Sequence, residues 1–460
     1  MNAVEEPFWG KTLRLIREIW VLGETEELKE RVRADLPDSD FGRLREAIDA
    51  CLEGRGGEVS ARARAAELGR TYLVLDSVGR QRFLKLLARE YGVDNGAVDQ
   101  AIQEREAAID PEDRYVANLR LRNLLEPPRA RLFRQFNELE DGVKFLVDLR
   151  AELLALIKTN PELRPLDQDV QRLLTSWFDI GFLDLQRITW ATSATVLEKL
   201  ILYESVHAIS SWKDLKNRLR DDRRCYAFFH PKMACEPLIF VEVALVNGIA
   251  GNVEKLLDVE APVRSPEKAD TAIFYSISNC QQGLTGVSFG NFLIKRVVAD
   301  LAAKLPNLKT FSTLSPIPGF IDWLASTDAI DGLNRDEQEL WDNIMIPGQP
   351  VERIREILLD SAEPQPVLQE MLMQCCARYL VEAKRGRQAL NRVAHFHLSN
   401  GAQIERINWR ANLSEQGIEQ SAGIMVNYLY KLSQIEKNHE LYTGSGEIAV
   451  SSSVRKLLKR

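Results

Sequence analysis

The stretch Thr271–Val298, TAIFYSISNCQQGLTGVSFGNFLIKRVV, decides the fold class. Its first eight residues, Thr271 to Ser278, are rich in β-branched and aromatic side chains and predict a strand. Leu293, Ile294, Val297, Val298 and Leu301 then recur at helical spacing and predict an amphipathic helix over Asn291 to Leu305. Gly283, Gly286 and Gly290 lie in the turn between them. Strand, glycine-rich turn and amphipathic helix form a unit of a mixed α/β domain.

More strands are predicted around this unit: Cys225 to Phe229, Leu238 to Val246, Leu308 to Leu314, Ala394 to Leu398 and Gln403 to Trp409. Leu238 to Val246, LIFVEVALV, is apolar enough to be buried on both faces. A further helix is predicted over Val351 to Leu359. Upstream, the pattern changes. The first 165 residues read as helix after helix, with Phe145, Leu146, Leu149, Leu153, Leu156 and Ile157 on one face and Lys144, Asp148, Arg150 and Glu152 mostly on the other. The expected organisation is therefore α+β: a helical bundle over residues 1–165, acting as scaffold or oligomerisation domain, then a mixed α/β catalytic domain over 166–460, with a boundary at Pro161 to Pro165.

A chain of 460 residues has room for two or three domains and a large core. The net charge of −7 excludes a globally basic nucleic-acid binder. The six cysteines form no C-x-x-C and match no zinc or disulfide framework, which suits a reducing compartment. No apolar run is long enough to span a membrane, and the N-terminal residues do not read as a signal peptide. The last residues are not the Ser-Lys-Leu peroxisomal ending. The expected location is cytoplasmic.

Three constellations carry chemistry. The first is the loop Thr285, Gly286, Val287, Ser288, Phe289, Gly290 and Asn291. Glycines before a helix allow backbone N–H groups to approach an anion, and the helix N-terminus suits a pyrophosphate. A tight turn is the plainer reading. Gly286-Val-Ser288-Phe-Gly290 also matches the G-x-S-x-G nucleophile elbow, with His397 downstream. A serine hydrolase or thioesterase acting on acyl-CoA through Ser288 is thus the alternative function. Against it, the elbow serine should follow the strand directly, and Ser288 lies well beyond Ser278.

The second constellation is Ser315-Pro316-Ile317-Pro318, where two prolines fix the direction in which a strand-end hydroxyl points. The third is Ala394-His395-Phe396-His397-Leu398-Ser399-Asn400-Gly401. In a strand, His395 and His397 face one side. No third ligand stands at a compelling metal spacing, so a single histidine that moves a proton is the better-supported role.

RCYAFFHPKM (Arg224–Met233), EPLIFVEVAL (Glu236–Leu245), the 274–298 stretch, FSTLSPIPGF (Phe311–Phe320), VAHFHLSNGAQIERINW (Val393–Trp409) and SAGIMVNYLY (Ser421–Tyr430) together resemble malonyl-CoA decarboxylases. The resemblance implies a helical N-terminal domain and a C-terminal domain of acetyltransferase (GNAT) fold. It implies that malonyl-CoA is converted to acetyl-CoA and CO2, that Ser315 and His397 are the catalytic pair, and that Thr285 to Asn291 binds CoA. It also implies a homo-oligomer. Some members carry Glu where this chain has Ser288. An enolate delocalised on the thioester carbonyl requires no organic cofactor, and no metal is called for. On this view protonated His397 gives the proton and Ser315 orients the carboxylate or passes a proton through its hydroxyl.

Overall fold

A computed structural model describes residues 32–54, 58–287, 293–325, 335–344, 354–356, 358 and 366–459. The helix expected over Val351 to Leu359 lies mostly outside the described residues. The chain divides into two units, Met1–Leu183 with His230–Glu236 and Gln281–Phe289, and the rest.

The first unit follows from its helical periodicity. Its helices are α1 Phe41–Leu52, α2 Glu58–Val74, α3 Ser77–Glu90, α4 Asn95–Ala107, α5 Pro111–Leu124, α6 Pro128–Asn137, α7 Gly142–Leu156 and α8 Arg164–Trp177. Asp76, Asp94 and Asp110 cap α3, α4 and α5 through their side chains, and Pro111 and Pro128 begin their helices where a missing N–H costs nothing. The core joins α2, α3, α6 and α7 through edge-to-face contacts: Tyr72–Phe83 at 5.2 Å, Tyr72–Phe145 at 5.8 Å and Phe136–Phe145 at 5.2 Å.

Two expectations change here. Pro161 opens a short 3-10 turn that runs straight into α8, with Pro165 in its first turn. These prolines start an element, and the helical unit continues to Leu183. Helix α7 is not amphipathic in its setting: Lys144, Asp148 and Arg150 are as buried as Phe145 and Leu149. Its polar side is covered by the segment beginning at Gln281, more than a hundred residues later in the chain, which periodicity within the helix could not reveal.

The second unit is built on a seven-stranded sheet in the order β1-β2-β3-β4-β5-β9-β8. The strands are β1 Asp184–Ile188, β2 Arg223–Phe229, β3 Pro237–Val246, β4 Thr271–Asn279, β5 Thr310–Thr313, β8 Gln403–Asn408 and β9 Met425–Leu429; β6 Lys384–Arg385 and β7 Gln388–Ala389 form a separate hairpin. All ten residues of β3 are buried, as its apolar run requires, although it is antiparallel to both neighbours. Helices α9 Ala194–Tyr203, α10 Leu293–Lys304, α11 Pro366–Val381, α12 Arg392–Ser399 and α13 Ile435–Ser445 accompany the sheet. The fold class is the expected one in its architecture, a helical N-terminal region followed by a mixed α/β domain.

The feature that shapes the site is the parallel β4–β5 pair. Its register runs from Thr271↔Thr310 to Phe274↔Thr313 and stops. Leu314 N–H still donates to Phe274 C=O at 2.9 Å, but Pro316 has no N–H with which to continue. Ser315 instead exchanges both of its backbone hydrogen bonds with Val426, at 2.8 and 3.0 Å. The end of β4 and the Ser315 turn therefore part company, and a cavity opens between them.

Candidate active site

The cavity has a volume of about 270 Å³ and is lined by Tyr275 to Ile277 of β4, Ser315, Pro316, Arg392, Phe396 and His397, among others. Ser315 and His397, expected as a pair from the family resemblance, meet on its wall. Ser315 Oγ lies 3.2 Å from His397 Nε2, and Ser315 Oγ also pairs with Thr313 Oγ1 at 2.9 Å. Thr313 Oγ1 is itself fixed by the Tyr428 N–H at 3.1 Å. On the other side of the ring, His397 Nδ1 pairs with the Tyr430 hydroxyl at 2.7 Å. The Tyr428 ring stacks on the imidazole, with centroids 4.5 Å apart and planes at 25°. Thr313, Ser315, His397, Tyr430 form one hydrogen-bonded chain with no carboxylate in it.

His397 sits on a helix, and here the structure corrects the sequence reading. Ala394 to Leu398 is not a strand but the middle of α12. Asn391 caps its start by accepting from the Ala394 N–H, and its side-chain amide donates to Pro318 C=O at 2.8 Å, tying the helix to the Ser315 turn. Asn400 and Gly401 end it. Gly401 N–H donates to Leu398 C=O and Ala402 N–H to His397 C=O, a Schellman stop with Gly401 at φ +82°. Successive residues in a helix turn by about 100°, so His395 and His397 diverge. His395 Nδ1 pairs with the Tyr442 hydroxyl at 2.9 Å, away from Ser315. Among the described residues no group of His, Cys, Asp or Glu is placed to hold a metal ion.

Burial sets the protonation state. His397 is 2% exposed, and desolvation pulls its pKa down to about 3, so the imidazole is neutral in the empty site. Tyr430 is pushed well above its ordinary value by the same burial and stays a phenol.

The expected substrate loop is less fully described. Thr285, Gly286 and Val287 are described; Ser288, Phe289, Gly290 and Asn291 lie outside the described residues. Gly283 and Gly286 have structural reasons to be glycine. A Cβ at 283 would fall 1.8 Å from the Val147 carbonyl oxygen of α7, and Gly286 has φ +77°. The hydrolase reading requires His397 to serve Ser288, yet both ring nitrogens of His397 are engaged, by Ser315 and Tyr430.

Three residues of the site escaped the sequence reading: Thr313, Tyr428 and Tyr430. The two tyrosines alternate along the end of β9 and so share a face, a period-two signal present in VNYLY.

Residues 91–178 match the model of the malonyl-CoA decarboxylase N-terminal domain, and residues 181–460 that of the malonyl-CoA decarboxylase C-terminal domain. The chain belongs to the malonyl-CoA decarboxylase family. It is 37% identical over 461 residues to the mitochondrial malonyl-CoA decarboxylase of Mus musculus, covering 94% of this chain and 90% of the relative. The crystal structure of malonyl-CoA decarboxylase from Rhodopseudomonas palustris matches with a TM-score of 0.83 at 42% identity, over 90% of this chain and 99% of that one. The enzyme from Agrobacterium vitis matches with a TM-score of 0.79 at 40% identity, over 91% and 100%. No described helix is long and apolar enough to cross a membrane.

Proposed function

We propose that the chain is a carboxy-lyase that converts malonyl-CoA to acetyl-CoA and CO2, with Ser315 and His397 handling the proton. The observation that carries the roles is the 3.2 Å contact between two buried side chains on a cavity wall, in a member of this family. The reaction breaks the bond between the carboxylate and the α-carbon. The electron pair passes to the thioester carbonyl as an enolate, CO2 leaves, and the α-carbon takes up a proton. One proton is consumed per turnover.

A neutral His397 in the empty site fits this balance. The incoming malonyl carboxylate brings a negative charge into the same desolvated cavity, and an opposite charge at short range favours the imidazolium. Substrate binding itself then charges His397 with a proton from solvent. Ser315 donates a hydrogen bond to the carboxylate and holds the breaking bond in line with the carbonyl π system. After CO2 departs, the imidazolium gives its proton to the α-carbon, directly or through the Ser315 hydroxyl, and returns to the neutral form that burial prefers. Tyr430 holds the ring through Nδ1. Thr285 to Asn291 is the segment we assign to the CoA portion.

The assay is incubation with malonyl-CoA without added metal or acceptor, followed by separation of the CoA species. Acetyl-CoA and CO2 in equal amounts are expected; free CoA plus malonate would instead support the hydrolase.

The family resemblance supports a homo-oligomer, with the helical region as scaffold, checked by light scattering on the purified chain. The six cysteines, with no C-x-x-C among them, suit a reducing compartment such as the cytoplasm, although the rodent and goose relatives are named as mitochondrial.

A further inference from the structure

We propose that Arg150, deep in the helical unit, is a positioning residue for substrate binding, because it sets the peptide planes of the loop that contacts CoA. This rests on the assignment of Thr285 to Asn291 to the CoA portion.

Arg150 is 2% exposed. Its Nε donates to Asp167 Oδ1 of α8 at 2.8 Å, which fixes the guanidinium in its plane. Its Nη1 donates to two carbonyls of the loop, Gly283 at 2.6 Å and Thr285 at 2.8 Å. Gln171 of α8 adds a third, donating through Nε2 to Gly286 C=O at 2.9 Å. Gly283 has no side chain to keep the loop off α7, so the carbonyls can reach the guanidinium. A packing role alone would not require a buried cation aimed at two carbonyls.

The consequence follows from peptide geometry. No described peptide bond is cis, so each C=O is opposed to the N–H of the next residue. Holding Thr285 C=O on Arg150 turns Gly286 N–H to the other side of the loop, away from α7. A backbone donor whose direction is fixed in advance suits an anionic group such as a phosphate, because no ordering remains to be done on binding. Lysine could keep the charge but not the planar fork that serves Asp167 and the carbonyls together.

The test uses the full chain with malonyl-CoA, comparing Arg150→Lys, Gln171→Ala and Gly286→Ala. For each, kcat, KM and thermal midpoint are measured, with calorimetric binding of acetyl-CoA. Arg150→Lys is expected to raise KM and the acetyl-CoA Kd about tenfold, with kcat changed less than about twofold, as suits a lost charge-assisted hydrogen bond. Gln171→Ala, a milder change near the surface, should raise KM a few-fold, and it carries the test if Arg150→Lys does not fold. Lowered kcat with unchanged KM in Arg150→Lys would mean a smaller folded fraction and a merely structural residue, which overturns the proposal. If Gly286→Ala raises KM while Arg150→Lys and Gln171→Ala do not, the loop binds CoA without this control, and only the proposal fails. If none of the three raises KM, the assignment of the loop to CoA fails as well.

Discussion

The loop at Gln281–Val287 and the cavity wall at Ser315 and His397 divide labour between backbone and side chain in opposite ways. In the loop, side chains from elsewhere hold the backbone: Arg150 and Gln171 take three carbonyls, and the glycines allow the close approach. What remains for a ligand is main chain. At the cavity, the backbone does the holding. Ser315 is paired to Val426 through both of its main-chain groups, and His397 rides on a helix capped at both ends. What remains for a substrate is the hydroxyl and the imidazole. Substitutions should therefore fail differently in the two regions, by lost chemistry at the cavity and by lost structure or affinity at the loop.

The largest effect is expected at the cavity. His397→Asn should lower kcat by about 10²–10⁴-fold, the usual size for a positioned acid–base group, with acetyl-CoA affinity largely intact. Ser315→Ala should likewise reduce turnover more than binding. Steady-state rates and calorimetry on each variant check both, and an equal loss of rate and affinity would erase the contrast between the regions. Next comes Gly283→Ala. Its Cβ would overlap the Val147 carbonyl, so about 1–3 kcal/mol of stability should be lost, read as a lower denaturant midpoint. A stable Gly283→Ala protein would mean that the loop is not seated on α7 as described. The smallest effect is expected at the rim of α12. Asn391→Ala removes a helix cap and the tie to Pro318, costing about 1 kcal/mol, with a modest fall in kcat as Ser315 and His397 lose register. Chemical denaturation and rate measurement together separate that loss from the first.

How much was legible in the sequence differs between these same regions. The strands β2, β3 and β4 were plain because each is a short apolar run bounded by turn residues. Ser315 and His397 were named on resemblance, and the prolines beside Ser315 did predict a fixed hydroxyl. The strand assigned to Ala394 to Leu398 failed because a five-residue window shows alternation as readily as helix; Asn391 and Asn400-Gly401, just outside it, were the caps that mark α12. The burial of Arg150 was invisible because the segment covering it lies far along the chain. The neutral state of His397 was equally hidden, since it comes from burial in the folded chain and not from any neighbouring charge.

His397, neutral in the free enzyme, is proposed to gain its proton with the substrate carboxylate. The direct measurement is calorimetric titration at pH 7 with a CoA thioether bearing a terminal carboxylate, which cannot decarboxylate, in two buffers of different ionisation heat. With the imidazole neutral in the free enzyme, wild type should take up protons on binding this ligand, a net fraction that grows as the titration is moved from pH 7 toward pH 5. Acetyl-CoA, or the carboxylate ligand with His397→Asn, should give almost none. No uptake by wild type, or the same uptake by His397→Asn, would contradict the assignment of the proton to His397.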